Sequence, residues 1–130
     1  PMDERFLIDT NILIYYFDDK IPVAHLSRST AGFRESLQVS TITKIELLGW
    51  HQITGEEKAR MEDFLHHAEI YFVDKQVQSK AIEIKQKAKI KTPDAIIAAT
   101  AVLFDFTIVS RNVKDFEKVR RRRIYNPFED

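Results

Sequence analysis

Phe6-Leu7-Ile8-Asp9-Thr10-Asn11-Ile12-Leu13-Ile14 decides the fold of this chain. An apolar run stops at a polar triplet, and the apolar pattern resumes with no gap long enough for a hairpin loop. The stretch therefore reads as strand, tight turn, helix. Working outward, the alternation repeats. Val23 to Leu37 carries spaced apolar residues and reads as a helix interrupted near Gly32. Gln38 to Ile42 reads as a strand, after which Thr43-Lys44-Ile45-Glu46 matches the Ser/Thr-x-x-Glu capping box and opens a helix through Trp50. A second such box, Thr54-Gly55-Glu56-Glu57, starts a helix with Met61, Phe64, Leu65 and Ala68 at helical spacing. Ile70 to Val73 then reads as a strand, and Val77, Ala81, Ile84 and Ala88 mark a further helix. Thr92-Pro93-Asp94 supplies an N-cap, a proline at the first helical position and a first-turn acid. The helix that follows, Ala95 to Phe104, is apolar on nearly every side and belongs in the middle of the molecule. Phe106 to Val109 reads as a strand, Val113 to Val119 as a short helix and Arg123 to Tyr125 as an edge strand. Strands alternating with helices predict an α/β fold, a mostly parallel twisted sheet with helices on both faces.

Composition bounds the function. At 130 residues the chain fits one domain, expected over residues 2–130, with Pro1 ahead of Met2 reading as an expression scar. Hydrophobic residues at 44% beside 31% charged can bury a core, which excludes a disordered tract. The 20 Lys and Arg cancel the 20 Asp and Glu, so any electrostatic function must be local. The absence of Cys excludes a disulfide scaffold, a thiolate metal site and a Cys nucleophile, and fits a reducing cytoplasm. The longest apolar run is broken by Thr100 and is far shorter than the roughly 18 residues of a membrane span, so no membrane role is expected.

In parallel sheets, ligands sit where strand ends pass into helix N-termini. Asp9, Asp94 and Asp115 fall at such transitions, and Glu46 lies one turn into a helix that follows a strand. Carboxylates gathered at one sheet edge suit a hard divalent ion, which takes oxygen ligands. Each acid also has a simpler reading. Glu46 is first a capping-box glutamate on local sequence, Asp94 favours the helix dipole, and Asp115 reads as a solvated helix acid. Asp9, between two apolar runs, is the acid that most needs a partner.

Four strings, taken together, resemble the PIN-domain ribonucleases in order and spacing, most closely the small VapC-type toxins of prokaryotic toxin–antitoxin pairs. They are Leu7-Ile8-Asp9-Thr10-Asn11-Ile12-Leu13, Thr41-Ile42-Thr43-Lys44-Ile45-Glu46-Leu47, Thr92-Pro93-Asp94-Ala95-Ile96-Ile97-Ala98-Ala99-Thr100-Ala101 and Ile108-Val109-Ser110-Arg111-Asn112-Val113-Lys114-Asp115-Phe116. The resemblance spans essentially the whole chain. It implies a PIN-like fold and a cytoplasmic endoribonuclease dependent on Mg²⁺ or Mn²⁺, dimeric with itself and held inactive by a cognate antitoxin. It also implies that Asp9, Glu46 and Asp94 are the acidic metal ligands. Asn112 stands where many members carry Asp, so Asp115 is expected to complete the site as ligand or water-orienting group, with Asn112 as its hydrogen-bonding helper. Thr10 and Asn11 would brace Asp9, and Ser110 keeps the hydroxyl of a usual Thr. In such a mechanism the ion polarises a phosphate oxygen and lowers the pKa of a bound water for in-line attack. His25, His51, His66 and His67 lie outside all four strings and are expected in surface or packing roles.

Setting aside the four acids leaves a formal +4 on the rest of the chain. Lys87, Lys89, Lys91, Arg111, Arg120 and Arg121 are candidate RNA contacts, from a lysine cluster beginning at Lys80 and an arginine run, Arg120 to Arg123. The simpler readings are a solvated lysine face and a terminal ion-pair network. Tyr15, Tyr16 and Phe17 are candidates to line an antitoxin groove. Among enzymes, haloacid-dehalogenase-type phosphatase chemistry fails because Asp9-Thr10-Asn11 lacks a second carboxylate two residues on. The alternative from another class is a catalytically silent PIN module that binds RNA or a protein partner.

Overall fold

The structure, a computed structural model, describes residues 5–18, 38–120 and 123–128. The helix expected from Val23 to Leu37, Pro1, His25 and Arg121 lie outside the described residues. In chain order the elements are β1 (Phe6–Ile8), α1 (Thr10–Phe17), β2 (Gln38–Ser40), α2 (Thr41–Leu48), α3 (Gly55–His66) and β3 (Glu69–Tyr71). They continue with α4 (Lys75–Lys87), α5 (Thr92–Phe104), β4 (Thr107–Val109), α6 (Val113–Phe116) and β5 (Arg123–Tyr125).

The strands form one sheet in the order β3-β2-β1-β4-β5, and every neighbouring pair is parallel. The opening stretch explains why. Leu7 and Ile8 are successive strand residues and point to opposite faces. Leu7 packs into one core with Ala98, Phe106 and Ile108, while Ile8 packs into the other with Leu13, Val39, Leu47 and Val109. The register pairs Leu7 with Ile108 and Ile8 with Val109, so both central strands feed each core from the same side. A strand apolar on both faces needs helices on both, and α5 covers the first core while α1, α2 and α3 cover the second. In α5, residues 97–101 are all buried, as a helix without a polar face requires.

Several element boundaries differ from the sequence reading: β3 is Glu69–Tyr71 rather than Ile70 to Val73, β4 starts at Thr107, α2 ends at Leu48 before Trp50, and three helix termini shift for identifiable reasons. Helix α2 starts at Thr41 with Ser40 rather than Thr43 as its N-cap, because the Ser40 hydroxyl accepts from the Ile42 amide and caps the helix three residues earlier. Ile42 is therefore helical, and Glu46 is not a capping glutamate. Thr92 is helical, and Lys91 takes the N-cap position of α5 without a side-chain cap bond. Helix α6 stops at Phe116 instead of Val119. The second box holds: the Thr54 hydroxyl accepts from the Glu57 amide and Glu57 accepts from the Thr54 amide. Edge strand β5 is pinned by Arg123, whose guanidinium donates to Oδ1 and the backbone oxygen of Asp105, each at 2.9 Å. Arg123 is thus committed to structure, which removes it from the arginine run as an RNA contact. Among the described residues no helix is long and apolar enough to cross a membrane.

Candidate active site

With all strands parallel, their carboxyl ends share one edge of the sheet. Chain connection runs from β1 to β2 on one side, and β4 lies on the other, so the order reverses between β1 and β4. This switch point is where ligand crevices form in open parallel sheets. Asp9 follows β1 there and Ser110 follows β4. Helix α2 starts at the end of β2 and carries Glu46. Helix α5 leads back into β4, so its N-terminal turn, with Asp94, returns to the same edge.

Asp9 is 4% exposed. Its Oδ1 accepts from the Thr10 amide at 2.8 Å, capping α1. Its Oδ2 accepts from the Ser110 hydroxyl at 2.6 Å and from Asn11 Nδ2 at 3.2 Å. Ser110 Oγ in turn accepts from the Asn112 amide at 2.9 Å, and Asn112 Nδ2 donates to Asp94 Oδ2 at 3.3 Å. A continuous chain of hydrogen bonds therefore joins Asp9 to Asp94 through Ser110 and Asn112. On the other flank the Thr10 hydroxyl donates to Glu46 Oε1 at 2.6 Å. That hydroxyl has one proton, so its 3.1 Å contact with Thr43 Oγ1 uses the Thr43 proton.

The electrostatics follow from crowding. Burial pushes Asp9 up to about 6, opposed by the Ser110 hydroxyl and Thr10 amide and reinforced by the negative charges of Asp94 and Glu46. Asp94 is also raised, by burial first and then by Asp115 and Glu46, with Lys91 and Asn112 opposing. Asp115 behaves differently. The Lys118 ammonium, 3.2 Å away, and Asn112 hold it below the usual carboxylate range. Four acids expected from sequence thus share one electrostatic neighbourhood, while Asp115 is the one already neutralised by a cation.

Among the described residues, no three His, Cys, Asp or Glu side chains stand at metal-ligating spacing. Mg²⁺ binds through one or two carboxylates with water completing the shell, so a full protein cage is not required. The donor set fits such an ion: oxygen ligands only, with Asp9 and Asp94 each carrying the repulsion that a cation would relieve.

The supporting residues take defined positions. Thr10 braces Glu46, and Asn11, Ser110 and Asn112 brace Asp9 and Asp94. Thr43 escaped the sequence reading, which spent it on a cap; its place three residues before Glu46 on one helix face is the signal that could have found it. Arg111 lies over the rings of Tyr15 and Phe128, at 5.1 and 4.6 Å, and its amide donates to Asn11 Oδ1. Tyr16 and Phe17 pack with Phe64. His51, His66 and His67 are exposed, in the surface roles expected. Lys87 pairs with Glu83, Lys89 and Lys91 are exposed, and Lys91 acts on Asp94. Ser110→Ala is expected to drive Asp9 higher still and to cost about 1–3 kcal/mol of stability, because it removes a donor to a buried carboxylate. Carboxyl NMR titration and thermal melts read the two effects.

Residues 6–122 match the family model described as PIN domain. Among solved structures, DNA-bound VapBC from Salmonella typhimurium superimposes with a TM-score of 0.82 and 23% identity over 95% of this chain and 98% of that one. A toxin–antitoxin complex from Klebsiella pneumoniae gives 0.77 and 27% over 95% and 98%. VapBC2 from Rickettsia felis, bound to a promoter DNA fragment, gives 0.79 and 19% over 93% and 97%. No curated protein matches the sequence. The family model and the solved VapBC and toxin–antitoxin folds each cover nearly the whole length, and the chain belongs to the PIN domain family.

Proposed function

We propose that the chain is a metal-dependent endoribonuclease and the toxin of a toxin–antitoxin pair, acting in the cytoplasm as a homodimer under the control of a cognate antitoxin. The observation that carries the reading is that Asp9, buried at the switch point, feels the negative charges of both Asp94 and Glu46, which help hold it against ionisation. The toxin–antitoxin complexes among its structural relatives support the partner.

Asp9, Glu46 and Asp94 would hold Mg²⁺ or Mn²⁺, with Asp115 as fourth acid. When bound, such an ion supplies Lewis acidity toward a phosphate oxygen and a water of lowered pKa. The chain's own groups do the positioning. Ser110 and the Thr10 amide fix both oxygens of Asp9, so its lone pairs are oriented without further ordering. Thr10 holds Glu46 toward Asp9 from the second core side. Asn112 keeps Asp94 in line with Ser110 and leaves its other oxygen available. Asp115, ionised and paired to Lys118, can orient a water or release that cation to a substrate phosphate. No side-chain nucleophile is needed, and the exposed histidines take no part. The test is cleavage of a structured RNA by the full chain in millimolar Mg²⁺ and its arrest by EDTA. Binding without cleavage would favour the silent module instead.

A further inference from the structure

Helices α4 and α5 and the turn after α6 enclose a groove of about 580 Å³, outside the acidic cluster. Among the described residues its walls carry Lys80, Lys87, Lys118 and Arg120 against a single carboxylate, Glu83. Glu83 is shared between Lys80 at 3.2 Å and Lys87 at 3.3 Å, so one negative charge answers two ammonium groups. Arg120 is exposed and has no carboxylate partner among the described residues. The floor is apolar, with Ile84 and Val119. Both ion pairs are solvent-accessible and hold the ammonium groups only weakly.

Lys118 ties the groove to the acids. It lines the groove, and its ammonium reaches Asp115 Oδ1 at 3.2 Å and the Lys89 carbonyl at 3.0 Å. A polyanion lying along the groove is thereby led toward Asp115 and Asp94. The free guanidinium of Arg120 offers the planar fork that suits phosphate.

We propose that this groove is a second phosphate site, holding the backbone of the RNA strand to one side of the linkage that is cut. The proposal rests on the ribonuclease reading for the identity of the strand. Phosphate contacts of this kind give sequence-tolerant, salt-sensitive affinity.

The test uses the full chain in EDTA and a labelled single-stranded RNA of about 12 nucleotides, a length within the span of single-strand sites. Fluorescence anisotropy is read from about 50 to 200 mM KCl. Lys87→Gln with Arg120→Gln is expected to weaken binding about tenfold or more at the lowest salt and to lower the slope of log K against log salt by about 1.4, from two lost phosphate contacts. Lys58→Gln with Lys75→Gln, exposed and outside the groove, controls for net charge and is expected to change affinity less than about twofold. Equal effects from both pairs, or none from the groove pair, overturn the proposal. So does a short polyglutamate peptide that binds as tightly as RNA and loses affinity in parallel, since the occupant would then be an acidic polypeptide. Circular dichroism verifies that each variant is folded. Cleavage in Mg²⁺ is measured separately on the unsubstituted chain. Groove-dependent binding with no cleavage supports the groove and sinks the ribonuclease reading, whereas cleavage with groove-independent binding sinks the groove alone.

Discussion

Asp94→Asn is expected to reduce Mg²⁺-dependent RNA cleavage by at least about 100-fold, since even an outer-shell partner of a bound metal is worth about 10–100-fold. The substitution removes a charge and preserves shape. Asn112 Nδ2, which donates to Asp94 Oδ2 at 3.3 Å, can donate equally to the amide oxygen of Asn. The helix loses an acid from its first turn, at about 0.3–1 kcal/mol, but also loses the repulsion from Asp115 and Glu46. The two effects oppose each other, so the fold is retained and the activity loss is a loss of chemistry. Initial cleavage rates, with circular dichroism as the control for folding, measure it. A variant within tenfold of the parent would remove Asp94 from the machinery.

Asp9→Asn is expected to stabilise the metal-free protein at neutral pH and to cancel its response to Mn²⁺. Asp9 is 4% exposed, and its carboxyl is pushed up to about 6 in the fold, against 3.8 for an unperturbed aspartate. A raised carboxylate means that ionisation costs the folded state. The cost is absent below pH 3.8, grows as pH rises toward 6 and is complete above it, where the shift amounts to roughly 3 kcal/mol. Asn at this position can still accept from the Thr10 amide and can donate to Ser110 Oγ. Removing the cost should therefore raise Tm above pH 6 by roughly 10 °C for a domain of this size, with little change near pH 4. Mn²⁺ should stabilise the unsubstituted chain by mass action, about 2.7 kcal/mol at 100 times its Kd, but not the variant. Melting curves across pH 4 to 8 with and without Mn²⁺ check both signs. Parallel curves for the two proteins would contradict the electrostatic account of Asp9.

Much of this was legible in the residues because the physics is local. The apolar run before Asp9 and its resumption at Ile12 gave a strand and a helix with no tertiary information, and the pattern of Ala95 to Phe104 placed α5 inside. The strand order was not legible, since each strand is only three residues long and nothing in so short a run says which neighbour it takes. The start of α2 was misread for a related reason. Two hydroxyl residues, Ser40 and Thr43, compete for the cap, and Ser40 prevails because Thr43 is drawn into the buried contact with Thr10. Glu46, freed from capping, accepts instead from the Thr10 hydroxyl beside Asp9. In the arginine run, pairing of β5 with β4 sets Arg123 beside Asp105, which charge alone does not reveal. Lys118, absent from the sequence-based candidates, emerged only when the turn after α6 brought it to Asp115.

Anomalous diffraction from crystals of the full chain soaked in Mn²⁺ tests the central claim most directly. The expected result is a peak at bonding distance from carboxylate oxygens of Asp9 and Asp94, with Glu46 or a water it holds in the same shell, and its disappearance in Asp94→Asn. A Mn²⁺ peak that avoids this edge of the sheet, or none in a crystal that diffracts well, would contradict it.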